Sequence, residues 1–268
     1  MTIDNLIIDR VLQGTFYKKS TGEGLFRLTQ IQNATLSNTS EAIDVLDSTG
    51  VLITQLDRSK AATLSGESAL KDMHLLAAQA GTELESGSDA KKIVVPAFDI
   101  VETVAGTTEY ELKHAPLEAV SEAYILTAGG AMGAKITANT AAGEGAFQID
   151  GQKVTVTFTT EDAAGTCKAG ESILFLYDYE TANAVQFVNK ADEFNVPMHV
   201  VIEALAYEPC AIDEKIYVLI DFPSAKLSSN FDFALSPEEA QSFELQCLVD
   251  YCSNEKVLYS VIVVDDEQ

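Results

Sequence analysis

Residues 243–251 read FELQCLVDY, and every second residue of this stretch is apolar: Phe243, Leu245, Cys247, Val249 and Tyr251. An alternation with a period of two places these side chains on one face of an extended strand. A polar stretch at residues 253–256 follows, and then a second apolar run, VLYSVIVV, at residues 257–264. The pattern predicts a C-terminal β-hairpin in a chain dominated by strands.

Other parts of the chain carry the same strand signal. Residues 42–46 and 51–56 flank Asp47-Ser-Thr-Gly50, which predicts a second hairpin with its turn at these four residues. Further strands are expected at residues 152–160, 172–179, 200–207 and 215–222, where β-branched and aromatic residues are frequent. The fold class is therefore expected to be mainly β, a sandwich or barrel.

One segment has helical spacing, residues 65–81, which read SGESALKDMHLLAAQAG. Its apolar stripe consists of Leu70, Met73, Ala77 and Ala80. Ser65 or Ser68 can cap the start and Gly81 can end the helix. We expect one α-helix at about residues 67–80, flanking the sheet and packing on it through Leu70, Met73 and Ala77.

Composition excludes several classes of protein. In 268 residues no apolar run approaches the roughly 20 that span a bilayer, so no integral helical membrane protein is expected. Asp4 and Asp9 interrupt the N-terminal stretch, which does not match a signal peptide. The formal charge of −24 argues against binding to the outside of nucleic acid, because phosphate contacts need Lys and Arg.

The residues that usually carry chemistry do not form a known pattern. The three histidines, His74, His114 and His199, have no metal-ligand spacing, and the four cysteines include no CxxC pair. No GxSxG sequence is present, and the glycine-rich residues 129–135 do not match a phosphate-binding loop. We expect no enzyme activity and no catalytic, cofactor or metal site.

Three acidic residues interrupt apolar strands: Asp178, Glu203 and Asp221. They could form a carboxylate pair for acid–base catalysis, or they could occupy strand positions that face water or a channel. A buried, unpaired carboxylate is costly, which favours the second interpretation.

The acidic residues are unevenly distributed along the chain. Residues 1–92 carry nine basic and 12 acidic side chains, a net charge of −3, and residues 93–268 carry eight basic and 29 acidic side chains, a net charge of −21. This uneven charge either maintains solubility or repels anions from one surface.

Three stretches of the N-terminal third occur in a recognisable order. They are LFRLTQIQNATLS at residues 25–37, SEAIDVLDSTG at 40–50 and DRSKAATLS at 57–65, followed by the Ala-rich helix. This order resembles the tail tube (major tail) proteins of tailed bacteriophages and, more distantly, the inner-tube proteins of contractile injection systems. The C-terminal residues 242–264 are similar to the closing strands of that family. Residues 93–164 match nothing in it.

The resemblance implies one tail-tube-like domain over residues 1–268, with residues 93–164 as an insertion or extra hairpin region. It implies homo-hexameric rings stacked into a tube through which DNA passes without specific binding. It further implies contact with the tape measure, the tail terminator and, in contractile tails, a sheath. The protein would be made in the host cytoplasm and reside in the virion tail, without a membrane partner. Asp178, Glu203 and Asp221 become candidates for the lumen wall. The alternative is a soluble β-sandwich binding module or another virion component, such as a capsid-surface or adhesin-like domain.

Overall fold

A computed structural model describes residues 5–139, 146–158, 167–209, 211–236, 239–249 and 255–265. The chain forms two compact units. We call Met1–Leu84 together with Phe187–Gln268 the main unit, and Glu85–Gln186 the second unit. Residues 93–164 lie within the second unit.

The described residues contain strands and one helix. In chain order they are β1 (Ile7–Lys18), β2 (Gly24–Leu28), β3 (Ile31–Leu46), β4 (Leu52–Ser68), α1 (Met73–Ala80), β5 (Glu85–Ser86), β6 (Ile93–Glu102), β7 (Glu109–Glu111), β8 (Glu122–Leu126), β9 (Met132–Thr137), β10 (Phe147–Asp150), β11 (Lys153–Val156), β12 (Ser172–Thr181), β13 (Val185–Gln186), β14 (Met198–Glu208), β15 (Ala211–Leu227), β16 (Gln241–Cys247) and β17 (Ser260–Asp265). The predicted class, mainly β with one helix, is confirmed. No helix within these residues is long and apolar enough to cross a membrane.

The main unit is built on one antiparallel sheet of eight strands. Its order is β2-β1-β14-β15-β16-β4-β3, and β17 also pairs with β15. One edge of the long β15 pairs with β17 at residues 216–221 and with β16 at residues 225–227. The predicted C-terminal hairpin is therefore wrong in its pairing, because in the described residues β16 and β17 both join β15 rather than each other.

The core of the main unit lies on one face of this sheet. Because strand side chains alternate, Val200 and Ile202 of β14 and Phe222 of β15 point to the same side and are almost fully buried. Phe16 of β1 and Leu245 of β16 extend this layer across neighbouring strands. Burying each such side chain contributes about 1.5–3 kcal/mol.

The helix α1 covers this core, but it is shorter than its sequence predicts. It begins after Asp72, whose carboxylate accepts hydrogen bonds from the backbone N–H groups of His74 and Leu75 at 2.8 and 3.1 Å. Residues 65–68, expected near its start, belong to β4 instead, since they pair with both β3 and β16. Leu75 is fully buried, whereas Leu70, which the helical stripe included, is 62% exposed.

The second unit has its own core between two small sheets. One sheet has the order β6-β12-β8-β9 and the other β10-β11-β7. Phe147 of β10 meets Phe175 of β12 edge to face, with ring centroids 5.1 Å apart. The short strands β5 and β13 pair with each other where the chain enters and leaves the unit.

Candidate assembly surfaces

Two of the three acidic candidates lie on the sheet face opposite the core of the main unit, which we call the outer face. Glu203 of β14 stands opposite Gln13 of β1, and Asp221 of β15 stands opposite Val201. Both carboxylates are half-buried. Among the described residues of this unit no helix lies over the outer face, because α1 packs on the other side through Leu75.

Both outer-face carboxylates have a partner in the chain. The carboxylate Oδ1 of Asp221 lies 2.6 Å from Nε2 of His199, and the ring of Tyr17 stacks on that imidazole with centroids 5.3 Å apart. Glu203 accepts a hydrogen bond from the amide of Gln13. Oε1 of Gln13 is buried and has no hydrogen-bond partner among the described residues. The pairing partly compensates for the desolvation that half-buried carboxylates undergo.

The third candidate, Asp178, lies in the second unit. It is exposed on β12, opposite Pro96 of β6, and its carbonyl oxygen accepts a hydrogen bond from the N–H of Leu117 at 2.7 Å. The structure therefore brings Glu203 and Asp221 together on one face and places Asp178 on a different sheet. Among the described residues no group of three or more His, Cys, Asp or Glu side chains is arranged to hold a metal ion.

The predicted front hairpin is present and is much longer than expected. β3 and β4 stay paired from Ile31↔Ser68 to Leu46↔Leu52, and most side chains of residues 38–60 are exposed on both faces. We call residues 38–61 the arm. At its tip, Oδ1 of Asp47 accepts hydrogen bonds from the Thr49 hydroxyl and from the N–H groups of Thr49 and Val51. These bonds, led by that of the Thr49 hydroxyl, lower the pKa of Asp47.

The arm carries apolar side chains that nothing in the described chain covers. Six of them are between 47% and 64% exposed: Ile43, Leu46, Val51, Leu52, Ile53 and Leu56. A two-stranded hairpin without a third strand or a packed face is marginally stable in water. Contiguous exposed apolar groups of this kind commonly mark a protein interaction surface. The sequence identified the turn, but it gave no signal that the paired strands extend beyond the sheet.

The second unit exposes another apolar group, which sequence reasoning missed. Phe98 and Ile100 of β6 are 70% and 55% exposed, and Leu176 of β12, directly opposite Phe98, is 43% exposed. Asp178 and Glu180 continue the same face of β12. The alternation along β12 places Leu176 on the face opposite the buried Phe175 and Tyr177, but it gives no sign that this face stays uncovered.

The opposite face of β12 holds a buried carboxylate, Asp99, with partners that the sequence did not reveal. Oδ2 of Asp99 accepts hydrogen bonds from the Tyr177 hydroxyl at 2.6 Å and from the N–H of Lys113 at 2.8 Å. Nζ of Lys113 lies 3.1 Å from Oδ1. Burial opposes ionisation of Asp99, but these bonds prevail and hold its pKa below the usual value. Burial, and then the bond to Asp99, raise the pKa of Tyr177 to about 12.

A family model described as YomU_Tube, the YomU/Tube protein family, matches residues 6–262. The match covers nearly the whole chain, so the chain belongs to the YomU/Tube protein family. This finding confirms the resemblance to phage tail tube proteins seen in the sequence. No curated protein matches the chain.

Proposed function

We propose that this member of the YomU/Tube family is a structural tail tube subunit that assembles into homo-hexameric rings, which stack to form the conduit for DNA ejection. The family match over residues 6–262 carries the proposal. The arm supports it, because its exposed apolar side chains require a partner surface that a neighbouring subunit would supply. The other partners are the tape measure, the tail terminator and, in a contractile tail, the sheath.

In this proposal the main unit builds the tube wall, and the second unit is an insertion that adds a separate sandwich. The main unit contains the eight-stranded sheet and the arm. It also contains the N-terminal residues 25–65 and the C-terminal residues 242–264, which resemble tail tube proteins. The second unit has its own hydrophobic core, so its insertion into the chain need not alter the packing of the main sheet. We therefore treat residues 1–268 as one tail-tube-like domain with an inserted region.

The outer face of the main sheet is our candidate for the lumen wall. Glu203 and Asp221 lie on it, and acidic side chains that face DNA form no phosphate contacts that would slow its passage. Asp178 belongs to the second unit and is the weaker candidate of the three.

Assembly of the purified full-length protein tests the proposal. Sedimentation velocity over a range of concentrations is expected to show a species of six subunits, and negative-stain microscopy is expected to show rings or tubes with a central channel. A protein that remains monomeric at every concentration, with no tubes after prolonged incubation, contradicts the proposal. It would favour the alternative, a β-sandwich binding module or another virion component, which the exposed apolar face around Phe98 also suits.

A further inference from the structure

The connection between β15 and β16 is longer than the sheet requires. Residues 228–240 join two strands that are antiparallel neighbours, a link that commonly takes about two to five residues. Ser228 donates its N–H to the carbonyl of Glu244 at the start of this connection. Within the described residues, the backbone of residues 231–235 forms no hydrogen bond and belongs to no sheet. Connections of this length are uncommon and are usually either functional or linker segments.

Residues 231–235 have the alternating sequence of a β-strand, but they pair with no other strand among the described residues. Phe231, Phe233 and Leu235 alternate with Asp232 and Ala234. Phe233 is 48% and Leu235 89% exposed, although both are large apolar side chains. Unpaired backbone groups next to alternating apolar side chains favour pairing with the edge of a sheet.

The charge of Asp232 favours a free strand edge that carries a basic residue. Such edges among the described residues include β2 with Arg27, β9 with Lys135, the first half of β1 with Arg10, and β4 in the arm with Arg58 and Lys60. Lys135 and Arg10 already form ion pairs with Glu122 and Asp9, and the arm has no buried core beside it that the apolar side chains of the segment could extend. Arg27 is exposed and forms no ion pair or hydrogen bond with any residue that the structure describes. Asp232 likewise has no partner in the described chain.

The side chains of β2 match those of the segment on both faces. Phe26 stacks on Phe16 of β1 with ring centroids 4.3 Å apart and is only half-buried at this border of the core. Arg27 lies on the opposite face because strand side chains alternate. A strand whose apolar residues extend the core beyond Phe26 therefore brings Asp232 to the side of Arg27.

We propose that residues 231–235 of one copy of this chain add as a strand to the free edge of β2 in a neighbouring copy, with Asp232 beside Arg27. The proposal rests on the proposed self-assembly and names the surfaces that would make one of its contacts. The two surfaces are different, so each copy offers one segment and one edge. Contacts of this head-to-tail type produce closed rings or open filaments rather than symmetric dimers.

Charge reversal with rescue tests the pairing. Arg27→Asp and Asp232→Arg each place like charges side by side, and each is expected to raise the protein concentration at half-assembly by about tenfold or more. The double variant restores an opposite pair in every contact and is expected to return to within about threefold of wild type. The exposed Asp192→Arg serves as the control for a changed net charge. All variants are measured by sedimentation velocity, and their folding is checked by circular dichroism.

A photo-reactive phenylalanine analogue at position 233 gives a second readout that does not depend on charge. In a mixture with isotopically heavy protein, cross-links are expected between copies, from position 233 to residues 24–28. Cross-links only within one chain, or to another surface, overturn the proposal. So do single charge variants that assemble like wild type, and a double variant that is not rescued. If these results occur while wild type forms rings, the proposed tube function stands and only this contact is wrong. Wild-type protein that never assembles overturns both.

Discussion

At the scale of single residues, Leu70 is the member of the predicted helical stripe that does not pack, whereas Ala77 and Ala80 of that stripe are buried. Leu75 is fully buried in the main core and Leu70 is 62% exposed just before α1. We expect Leu75→Ala to lower the free energy of unfolding by about 2–5 kcal/mol, because it leaves a cavity. Leu70→Ala is the matched control and should change it by less than about 0.5 kcal/mol. Urea unfolding followed by far-UV circular dichroism measures both. Equal effects would show that α1 packs through a different face.

The Tyr177 hydroxyl stabilises the buried Asp99. Tyr177→Phe removes the 2.6 Å hydrogen bond and leaves the carboxylate underpaired, so we expect a loss of about 1–3 kcal/mol at pH 7. Tyr124→Phe removes a hydroxyl from a half-buried residue of the same unit and is the control. Urea unfolding can be followed by tyrosine fluorescence, since the chain contains no Trp. A loss no larger than that of the control would contradict the role of this bond.

The same cluster gives stability a defined dependence on pH. The pKa of Tyr177 is raised in the folded chain to about 12, so its contribution is complete below the unfolded value of about 10 and declines as the pH rises towards 12. The pKa of Asp99 is lowered, so its contribution is present above the unfolded value of about 3.9 and is lost as the pH falls below it. Unfolding midpoints from pH 9 to 11 should decline less steeply in Tyr177→Phe than in wild type.

At the scale of elements, Gly81 ends α1 under two constraints. Its φ of 79° favours glycine, and a Cβ there would lie 2.5 Å from the carbonyl carbon of Phe194. We expect Gly81→Ala to destabilise the chain by about 3 kcal/mol, from strain and from the displaced backbone. Gly22 has φ of 72° with open space around it, so Gly22→Ala should cost only about 1 kcal/mol. Equal losses in thermal unfolding would mean that the segment at Phe194 moves aside freely.

The arm should matter for assembly and not for folding of the monomer. Ile53 is 64% exposed, so Ile53→Asp should change the stability of the monomer by less than about 0.5 kcal/mol while it reduces assembly. The exposed Ser40→Asp adds the same charge to the arm, away from the apolar side chains near its tip, and is the matched control. Sedimentation velocity and negative-stain microscopy measure both. If Ile53→Asp forms rings and tubes as well as Ser40→Asp, the exposed apolar side chains near the tip of the arm are not an assembly surface.

At the scale of the whole molecule, the protein has a net charge of −24, and we expect the acidic side chains that face the channel to keep DNA from binding the tube wall. Replacing Glu203 and Asp221 together by Lys should leave tubes intact but slow DNA ejection, because lysines would bind phosphates along the wall. Lysines in place of the exposed Glu83 and Asp89 give the same change in net charge as a control. Ejection from assembled phage can be followed by dye uptake. Unchanged kinetics in the outer-face variant would show that the sign of this charge is not used.

Period-two patterns determined what the sequence could establish by itself. They identified the strands around residues 172–179, 200–207 and 215–222, the turn at Asp47–Gly50 and the mainly β class, because alternation and turn residues are local properties. The order of residues 25–65 also sufficed for the family. Only the tertiary structure decided which strands pair, since β4 binds both β3 and β16 and thereby takes residues 65–68 from the helix. It also decided that β16 and β17 share one edge of β15, that Asp178 lies apart from Glu203 and Asp221, and that Asp99 is buried with Tyr177. Each of these features depends on contacts between residues far apart in the chain, and the free energy of such contacts outweighs local propensity.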